Sequence, residues 1–555
     1  MRLWTNGLLA MGALTAAALA STSASAQSLA CADITAETFG IDGLVIEAAG
    51  PIATGEDFAI DHCHIQGTID QRTGIDGADY AIGFEIRLPD DWNGDFVHQF
   101  NGGNDGNIVP ATGPLLGGIA DDTALGRGYA VVSSNAGHRG DANPDAGLAG
   151  GARFGLDPQA RSDYGYGAVA KLHPVALRMV ESYYGQAPQY VYGVGGSNGG
   201  RHAMIAAARM PDAFDGLLAG YPGFNLPKAG IQHAWDVQAF SAVDPDIKAA
   251  FTPEDLQVVA DAILSACDDL DGLADGIVGD TDSCQAAFDI ASVQCTDGAN
   301  GQCLTSAQVQ ALRTIHDGPV NSAGEALYSD WPWDIGIASP DWRFWKLESG
   351  IPPWNGMPLI AVMGSSSLAQ IFTTPPTEIE GTPDALEQYL LDFDFDTDAA
   401  AIYETADGFE QSAMEFMTPP GADNPELAQF RDAGGKLIVF HGVSDPVFSA
   451  NDTTNWYSTL DANNGGNAED FATFYRVPGM PHGAGGPATD RFDFFSILVD
   501  WVENGTQPGP VVAEVSEDNT ALADIAGATR KLCPYPMVST YTGDNPMSET
   551  SFSCQ

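Results

Sequence analysis

The stretch Tyr190-Val191-Tyr192-Gly193-Val194-Gly195-Gly196-Ser197-Asn198-Gly199-Gly200 constrains this chain more than any other. Its first half is rich in β-branched and aromatic residues and reads as a strand. It runs into Arg201-His202-Ala203-Met204-Ile205-Ala206-Ala207-Ala208-Arg209, which is rich in helix formers. Between them lies Gly195-x-Ser197-x-Gly199, the pattern of a nucleophile elbow in the strand–turn–helix setting that such an elbow needs. The requirement is steric. A sharp turn holds the serine in a strained backbone conformation, and side chains two positions to either side would collide. The helix that follows points its first N–H groups and its dipole at charge developing on the serine. A glycine-rich turn with an incidental serine has the same local pattern, so the rest of the chain has to decide.

At 555 residues the chain exceeds one compact core, which implies a large domain with an insertion, or two domains. Residues 1–26 read as an export signal: Arg2, a mostly apolar run from Leu8 to Ala20, and the cleavage pattern Ala24-Ser25-Ala26. That run is too short to cross a membrane and no later stretch qualifies, so no membrane anchor is expected after cleavage. The expected location is secreted or periplasmic. Export gives meaning to the eight cysteines, Cys31, Cys63, Cys267, Cys284, Cys295, Cys303, Cys533 and Cys554, which imply four disulfides. Sequence alone determines no connectivity, but closeness favours Cys267–Cys284, Cys295–Cys303 and Cys533–Cys554, leaving Cys31–Cys63. The net charge of −52, from 22 Lys+Arg against 74 Asp+Glu, repels polyanions and argues against nucleic acid as a partner.

Residues 81–89, 95–100 and 128–135 read as strands, and 164–184 as a helix that Pro174 should kink or divide. The second strand runs into Asn101-Gly102-Gly103-Asn104, a loop whose backbone can approach a substrate. Residues 214–220 suggest another short strand. Strand, helix, strand, helix implies a parallel sheet with helical crossovers. From 226 to about 420 strand-like runs thin out, and six of the ten tryptophans lie there. The α/β pattern resumes at Lys436-Leu437-Ile438-Val439-Phe440.

That late strand leads to His441-Gly442-Val443-Ser444-Asp445, and the strand at 471–477 leads to a loop carrying His482. The order Ser197, Asp445, His482 is a hydrolase triad order. Ser197 would attack a carbonyl, His482 would move the proton, and Asp445 would hold the imidazole tautomer. The N–H groups of Asn198 and of Gly103 or Gly102 would stabilise the oxyanion. His441 reads as a satisfied loop histidine. His138 and His202 lie near these segments in sequence only, and Asp452 is the alternative acid.

Taken together, Asn101-Gly102-Gly103, Gly128-Tyr129-Ala130-Val131-Val132, Gly195 to Arg201, Phe214 to Gly220 and His441 to Pro446 resemble the tannase and feruloyl esterase family of α/β hydrolases. Cys267 to Ile277 is similar to that family's calcium loop, and Arg530 to Cys554 to its C-terminal segment. The resemblance implies an α/β-hydrolase fold with a large inserted lid: hydrolase parts at 27–225 and 421–555, and the lid at 226–420. It also implies a family disulfide between the residue before the serine and the residue after the histidine. Here those positions are Gly196 and Gly483, so both partners are missing together. If the fold superposes, cysteines placed at 196 and 483 should lie within about 7 Å, close enough to bond.

Asp268, Asp271 and Asp275 place three carboxylates within eight residues of a turn, hard oxygen donors that suit calcium. An acidic surface turn would look the same. The resemblance implies structural calcium held by these side chains and by the carbonyls of Leu273 and Ile277. The expected activity is a secreted serine ester hydrolase acting on aromatic carboxylic esters, feruloyl, galloyl or related, with no organic cofactor. The alternatives are an aliphatic ester or hydroxyalkanoate oligomer hydrolase, and an inactive calcium-stabilised binding protein. Trp331, Trp333, Trp342, Phe344 and Trp345 form either the lid's own core or, in part, a wall of the acyl pocket. The resemblance implies that a half-ester hydrolase would hold the free carboxylate with a lid arginine; Arg313 and Arg343 are the only arginines between 226 and 420 and the chain is strongly acidic, so neutral aromatic esters are expected over terephthalate half-esters.

Overall fold

The computed structural model describes residues 29–55, 58–296 and 302–555; the expected export signal at 1–26 lies outside them. Nine strands form the main sheet: β1 Val45–Ile52, β2 His62–Thr73, β3 Asp79–Pro89, β4 Phe96–Phe100, β5 Ala130–Ser134, β6 Val191–Gly196, β7 Gly216–Gly220, β8 Lys436–Gly442 and β9 Ala472–Val477. Their spatial order is β1-β2-β3-β5-β4-β6-β7-β8-β9. β1, β2, β3 and β5 pair antiparallel, while β5 through β9 run parallel.

The parallel strands are buried on both faces, and the side-chain alternation shows how. In β7, Leu218 faces one helical layer with Val194 and Ile438, against Phe495, Leu498 and Trp501. Leu217 and Ala219 face the other with Val439, against Ala203, Met204 and Leu460. Each fully buried Leu here contributes about 1.5–3 kcal/mol. The helices that matter below are α1 Ala168–Tyr184, α2 Asn198–Arg209, α3 Leu226–Ser241, α4 Pro340–Lys346, α5 Ala450–Asn463 and α6 Phe494–Asn504. α5 packs beside α2 and α6 covers the opposite face.

Pro174 does not divide its helix: α1 runs from Ala168 to Tyr184 with the proline inside. The lost hydrogen bond and ring clash cost about 3 kcal/mol. Leu172, Ala176, Met179 and Val180, all fully buried, offset it.

Among the described residues, no strand of the main sheet lies between β7 and β8. That long connection is built mainly of helices, and its apolar side chains, Val259, Ile263, Leu312, Leu368 and Leu386 among them, form one continuous core with Ile65 and Phe84 of the sheet and Leu172 of α1. The four disulfides pair as closeness suggested: Cys31–Cys63, Cys267–Cys284, Cys295–Cys303 and Cys533–Cys554. No described helix is long and apolar enough to cross a membrane.

Candidate active site

Ser197 sits between the last residue of β6 and the first of α2, at φ 63° and ψ −126°. An L-residue adopts that conformation only at a cost of order 1–3 kcal/mol, recovered from the packing around it. The flanking glycines are sterically required. A Cβ on Gly195 would lie 2.6 Å from the carbonyl oxygen of Gly199, and one on Gly199 would overlap the carbonyl oxygen of Phe100.

His482 and Asp445 reach the serine from the ends of the two strands beyond β7. His482 Nε2 lies 2.9 Å from Ser197 Oγ, and His482 Nδ1 lies 2.8 Å from Asp445 Oδ2. The other carboxylate oxygen, Asp445 Oδ1, accepts the N–H groups of Val447 and Phe448. Burial works to raise the pKa of Asp445, but the His482 charge and hydrogen bonds from His441 and His482 outweigh it. The carboxyl is therefore held well below its usual range. His441 is satisfied, at 2.9 Å from Thr453 Oγ1 and 3.1 Å from the Phe448 carbonyl, and its Nε2 also approaches Asp445 at 3.3 Å. Asp452 is not the acid: both its oxygens take the amide of Asn225.

Gly102 and Gly103 lie where the loop after β4 passes the serine. A Cβ on Gly102 would stand 3.7 Å from the Ser197 Cβ. Gly103 lines the same cavity as Ser197 and Asn198. Asn198 is the first residue of α2, so its N–H has no intrahelical acceptor. Its side chain is committed elsewhere, donating to Asp105 Oδ2 at 2.9 Å and accepting from Arg201 Nε at 2.6 Å. Arg201, fully buried, donates also to the carbonyls of Gly165, Tyr164 and Met417. His202 Nε2 lies 3.3 Å from Asp105, and His138 Nε2 donates to the Asn104 carbonyl at 2.7 Å. The two histidines thus brace the glycine loop, one layer behind the triad.

The helical connection between β7 and β8 supplies parts that sequence reading missed. Asp334, buried, accepts from Ser444 Oγ beside the triad acid and from the Gly479 N–H on the histidine loop. It ties the two loops together. Asp341 Oδ2 accepts the backbone N–H of His482, and burial pushes its carboxyl up to about 6. Nothing in their spacing distinguishes these two from the chain's many other acidic residues.

Of the five aromatic residues from 331 to 345, one faces the chemistry. The Trp345 ring meets His482 edge-on at 5.1 Å and lines the cavity. Trp331 and Trp342 are buried in the larger apolar core, and Trp333 stacks on His316. The cavity measures about 180 Å³, and Leu226, Leu359, Met363, Phe372, Val447 and Phe448 form its apolar walls. Its lining includes no Arg or Lys. Arg313 pairs with Asp289, and Arg343 with Glu348 and the carbonyls of Phe251 and Lys248.

Between Gly196 and Gly483 stands Tyr221. A Cβ on Gly196 would lie 2.5 Å from Tyr221 Cζ, and one on Gly483 would lie 3.8 Å from the phenol oxygen. The ring meets His482 edge-on at 4.9 Å. An aromatic side chain therefore fills the space that the expected cross-link at 196 and 483 would need, and cysteines there would have to displace it.

At the predicted calcium loop, Asp268 Oδ1 accepts the N–H groups of Asp275 and Gly276, and Asp271 Oδ1 that of Leu273. Asp275 accepts the N–H of Ile277 and pairs with Arg530. Among the described residues, no group of three or more His, Cys, Asp or Glu side chains is gathered as a metal cage.

Known proteins resemble this chain over nearly its whole length. A mono(2-hydroxyethyl) terephthalate hydrolase from Piscinibacter sakaiensis is 40% identical over 520 residues, covering 89% of this chain and 85% of that one. A probable feruloyl esterase from Arthroderma benhamiae is 30% identical, covering 89% and 86%. The crystal structure of feruloyl esterase B from Aspergillus oryzae superposes with a TM-score of 0.72 at 21% identity, over 93% of this chain and 97% of that one, and so shares its fold. The family described as tannase and feruloyl esterase matches residues 63–555. With a serine, a histidine and an aspartate in hydrogen-bond sequence on that fold, the chain belongs to the tannase and feruloyl esterase family of carboxylic ester hydrolases.

Proposed function

We propose that this protein hydrolyses aromatic carboxylic esters through an acyl-enzyme on Ser197. One observation carries the reading: the Ser197–His482–Asp445 hydrogen-bond relay opens onto a cavity of about 180 Å³ with apolar walls. In the reaction Ser197 Oγ attacks the ester carbonyl as His482 Nε2 takes its proton. Asp445 accepts from Nδ1–H, fixing the tautomer and stabilising the imidazolium. The N–H groups of Asn198 and of Gly103, with Gly102 adjoining, stabilise the oxyanion at about 3–4 kcal/mol per donor. His482 protonates the leaving alcohol, then activates water against the acyl-enzyme. Trp345 is positioned to face the acyl ring.

A second reading, terephthalate half-ester hydrolysis, is favoured by the 40% identical relative. The cavity opposes it, because its lining offers no cation to a free carboxylate and the chain's charge is −52. Further proposals accompany the first. The four disulfides agree with export to the periplasm or beyond. The stretch 226–420, free of main-sheet strands among the described residues, is read as a lid on hydrolase parts at 27–225 and 421–555. Calcium is proposed at Asp268, Asp271, Asp275, Leu273 and Ile277 on the resemblance and the all-oxygen donor set alone, with a role in stability only; to bind, it has to draw together carboxylates that here accept backbone N–H groups and to compete with Arg530 for Asp275.

The test is a panel of gallate, ferulate, terephthalate half-ester and hydroxybutyrate esters, with a serine-reactive phosphonate. Labelling at Ser197 with turnover of neutral aromatic esters is expected. No labelling would favour an inactive binding protein, and preference for hydroxybutyrate or the half-ester would overturn the substrate assignment.

A further inference from the structure

His233 stands out inside the cavity. It projects from α3, is 8% exposed, and lines the same space as Ser197 and His482. Neither ring nitrogen has a hydrogen-bond partner. Every other polar side chain in the lining is already committed. Ser197 and His482 bond each other, and Asn198 is held by Asp105 and Arg201. Asn104 and Ser367 exchange hydrogen bonds at 3.0 and 3.2 Å, and Trp345 bonds Asp341.

An unpartnered polar group buried in an apolar wall is satisfied only by what enters the cavity, water in the free enzyme and a polar group of the substrate when one is bound. The surroundings keep the ring in view of the cavity. Gly364 closes a π-helical turn over Ile360–Gly364, and its backbone lies so near that a Cβ there would stand 3.0 Å from His233 Cγ and overlap Nδ1. Only glycine leaves the imidazole its place, and π-turns recur at functional sites. Burial and the nearby Lys346 charge drive the imidazole down to about 3, so it is neutral at any working pH. Lys346 itself is engaged by Asp236 and lies over Trp331, outside the lining. A neutral imidazole offers one N–H donor and one acceptor, and no charge.

We propose that His233 is a specificity-determining residue that hydrogen-bonds an uncharged polar substituent, such as a ring hydroxyl, on a single-ring benzoate-type acyl group seated in this cavity. The size agrees: an apolar cavity of about 150 Å³ holds benzene, so about 180 Å³ admits one ring and a small substituent. The charge agrees as well, since a phenol can pair with a neutral donor–acceptor while a carboxylate would enter an apolar wall with no counter-charge. This inference rests on the aromatic-ester reading above and adds which ring is preferred and which side chain selects it.

The experiment measures kcat/KM for methyl benzoate, methyl 3-hydroxybenzoate, methyl 4-hydroxybenzoate and monomethyl terephthalate. Wild type is expected to favour at least one hydroxybenzoate over benzoate by ten-fold or more, with monomethyl terephthalate poorest. His233→Phe should bring the hydroxyl preference to within about two-fold of unity, and His233→Gln, which keeps a donor and an acceptor, should retain part of it. Thermal melts confirm that each variant is folded. Should His233→Phe fail to fold, the wild-type preference and the His233→Gln ratio still decide. A wild type that turns over these esters without preferring a hydroxyl, or a preference unchanged in His233→Phe, would overturn the proposal. Failure of all four aromatic esters while hydroxybutyrate esters react would instead overturn the reading beneath it.

Discussion

The tips of the parallel strands and the helical connection between β7 and β8 meet around one cavity, yet they shape it in different ways. The strand tips contribute Ser197, Asp445, His482 and the glycine loop. Each leaves a backbone whose direction is set by a ladder of hydrogen bonds, so its position follows from sheet register. The connection contributes Asp334, Asp341, Trp345, His233 and most of the apolar wall, from helices and loops that share no strand register. In the proposed function, the chemistry rests on a frame that strand register holds in place, and selectivity rests on side-chain packing that no such ladder holds.

The largest test of this division is at the triad. Ser197→Ala should lower kcat on the order of a million-fold, His482→Ala comparably, and Asp445→Asn by about ten-thousand-fold. The melting temperature of Ser197→Ala should stay near wild type, because only a hydroxyl is removed. Turnover within a few-fold of wild type would break the assignment. Chelation or Asp271→Ala should act in the opposite sense, lowering the melting temperature by several degrees while phosphonate labelling of Ser197 keeps its rate. An unchanged melt, with no metal by elemental analysis, would remove calcium from the connection.

A sharper test concerns Tyr221. Gly196→Cys with Gly483→Cys should remain reduced in a chain that keeps Tyr221, and should bond once Tyr221→Ala is added. Thiol titration after mild oxidation reads the difference, and bonding with Tyr221 in place would show that the ring yields readily. The smallest effect is at Asp452, which burial pushes up to about 7. A carboxyl raised in the folded state favours folding most at low pH, and that contribution is lost as pH rises from about 4 through about 7. Asp452→Asn should therefore gain stability relative to wild type across that window, by at most a few kcal/mol, measured by denaturant melts at pH 4.5 and 8.

What could be read in the sequence divides along the same line. Strand runs such as Gly216–Gly220 and the elbow at Ser197 were legible because burial on both faces and a forced turn leave few residue choices. His482 and Asp445 were legible from their places after late strands. Asp334 and Asp341 were not, since they act through tertiary neighbours more than 100 residues away. Trp345 was visible only as one of five aromatic residues, and the packing alone separates it from Trp342. Pro174 misled in a specific way: its local cost was clear, but the buried face that offsets it was a property of the assembled core.

Tyr221 carries one more consequence. With a ring, and not a pair of sulfurs, between the nucleophile turn and the histidine loop, the reaction centre contains no reducible bond. The four disulfides lie elsewhere in the chain, so thiol reductants would act on its stability and leave the catalytic geometry no covalent link to lose. Order at this site is a matter of contact and volume, responsive to heat and pressure and indifferent to redox potential.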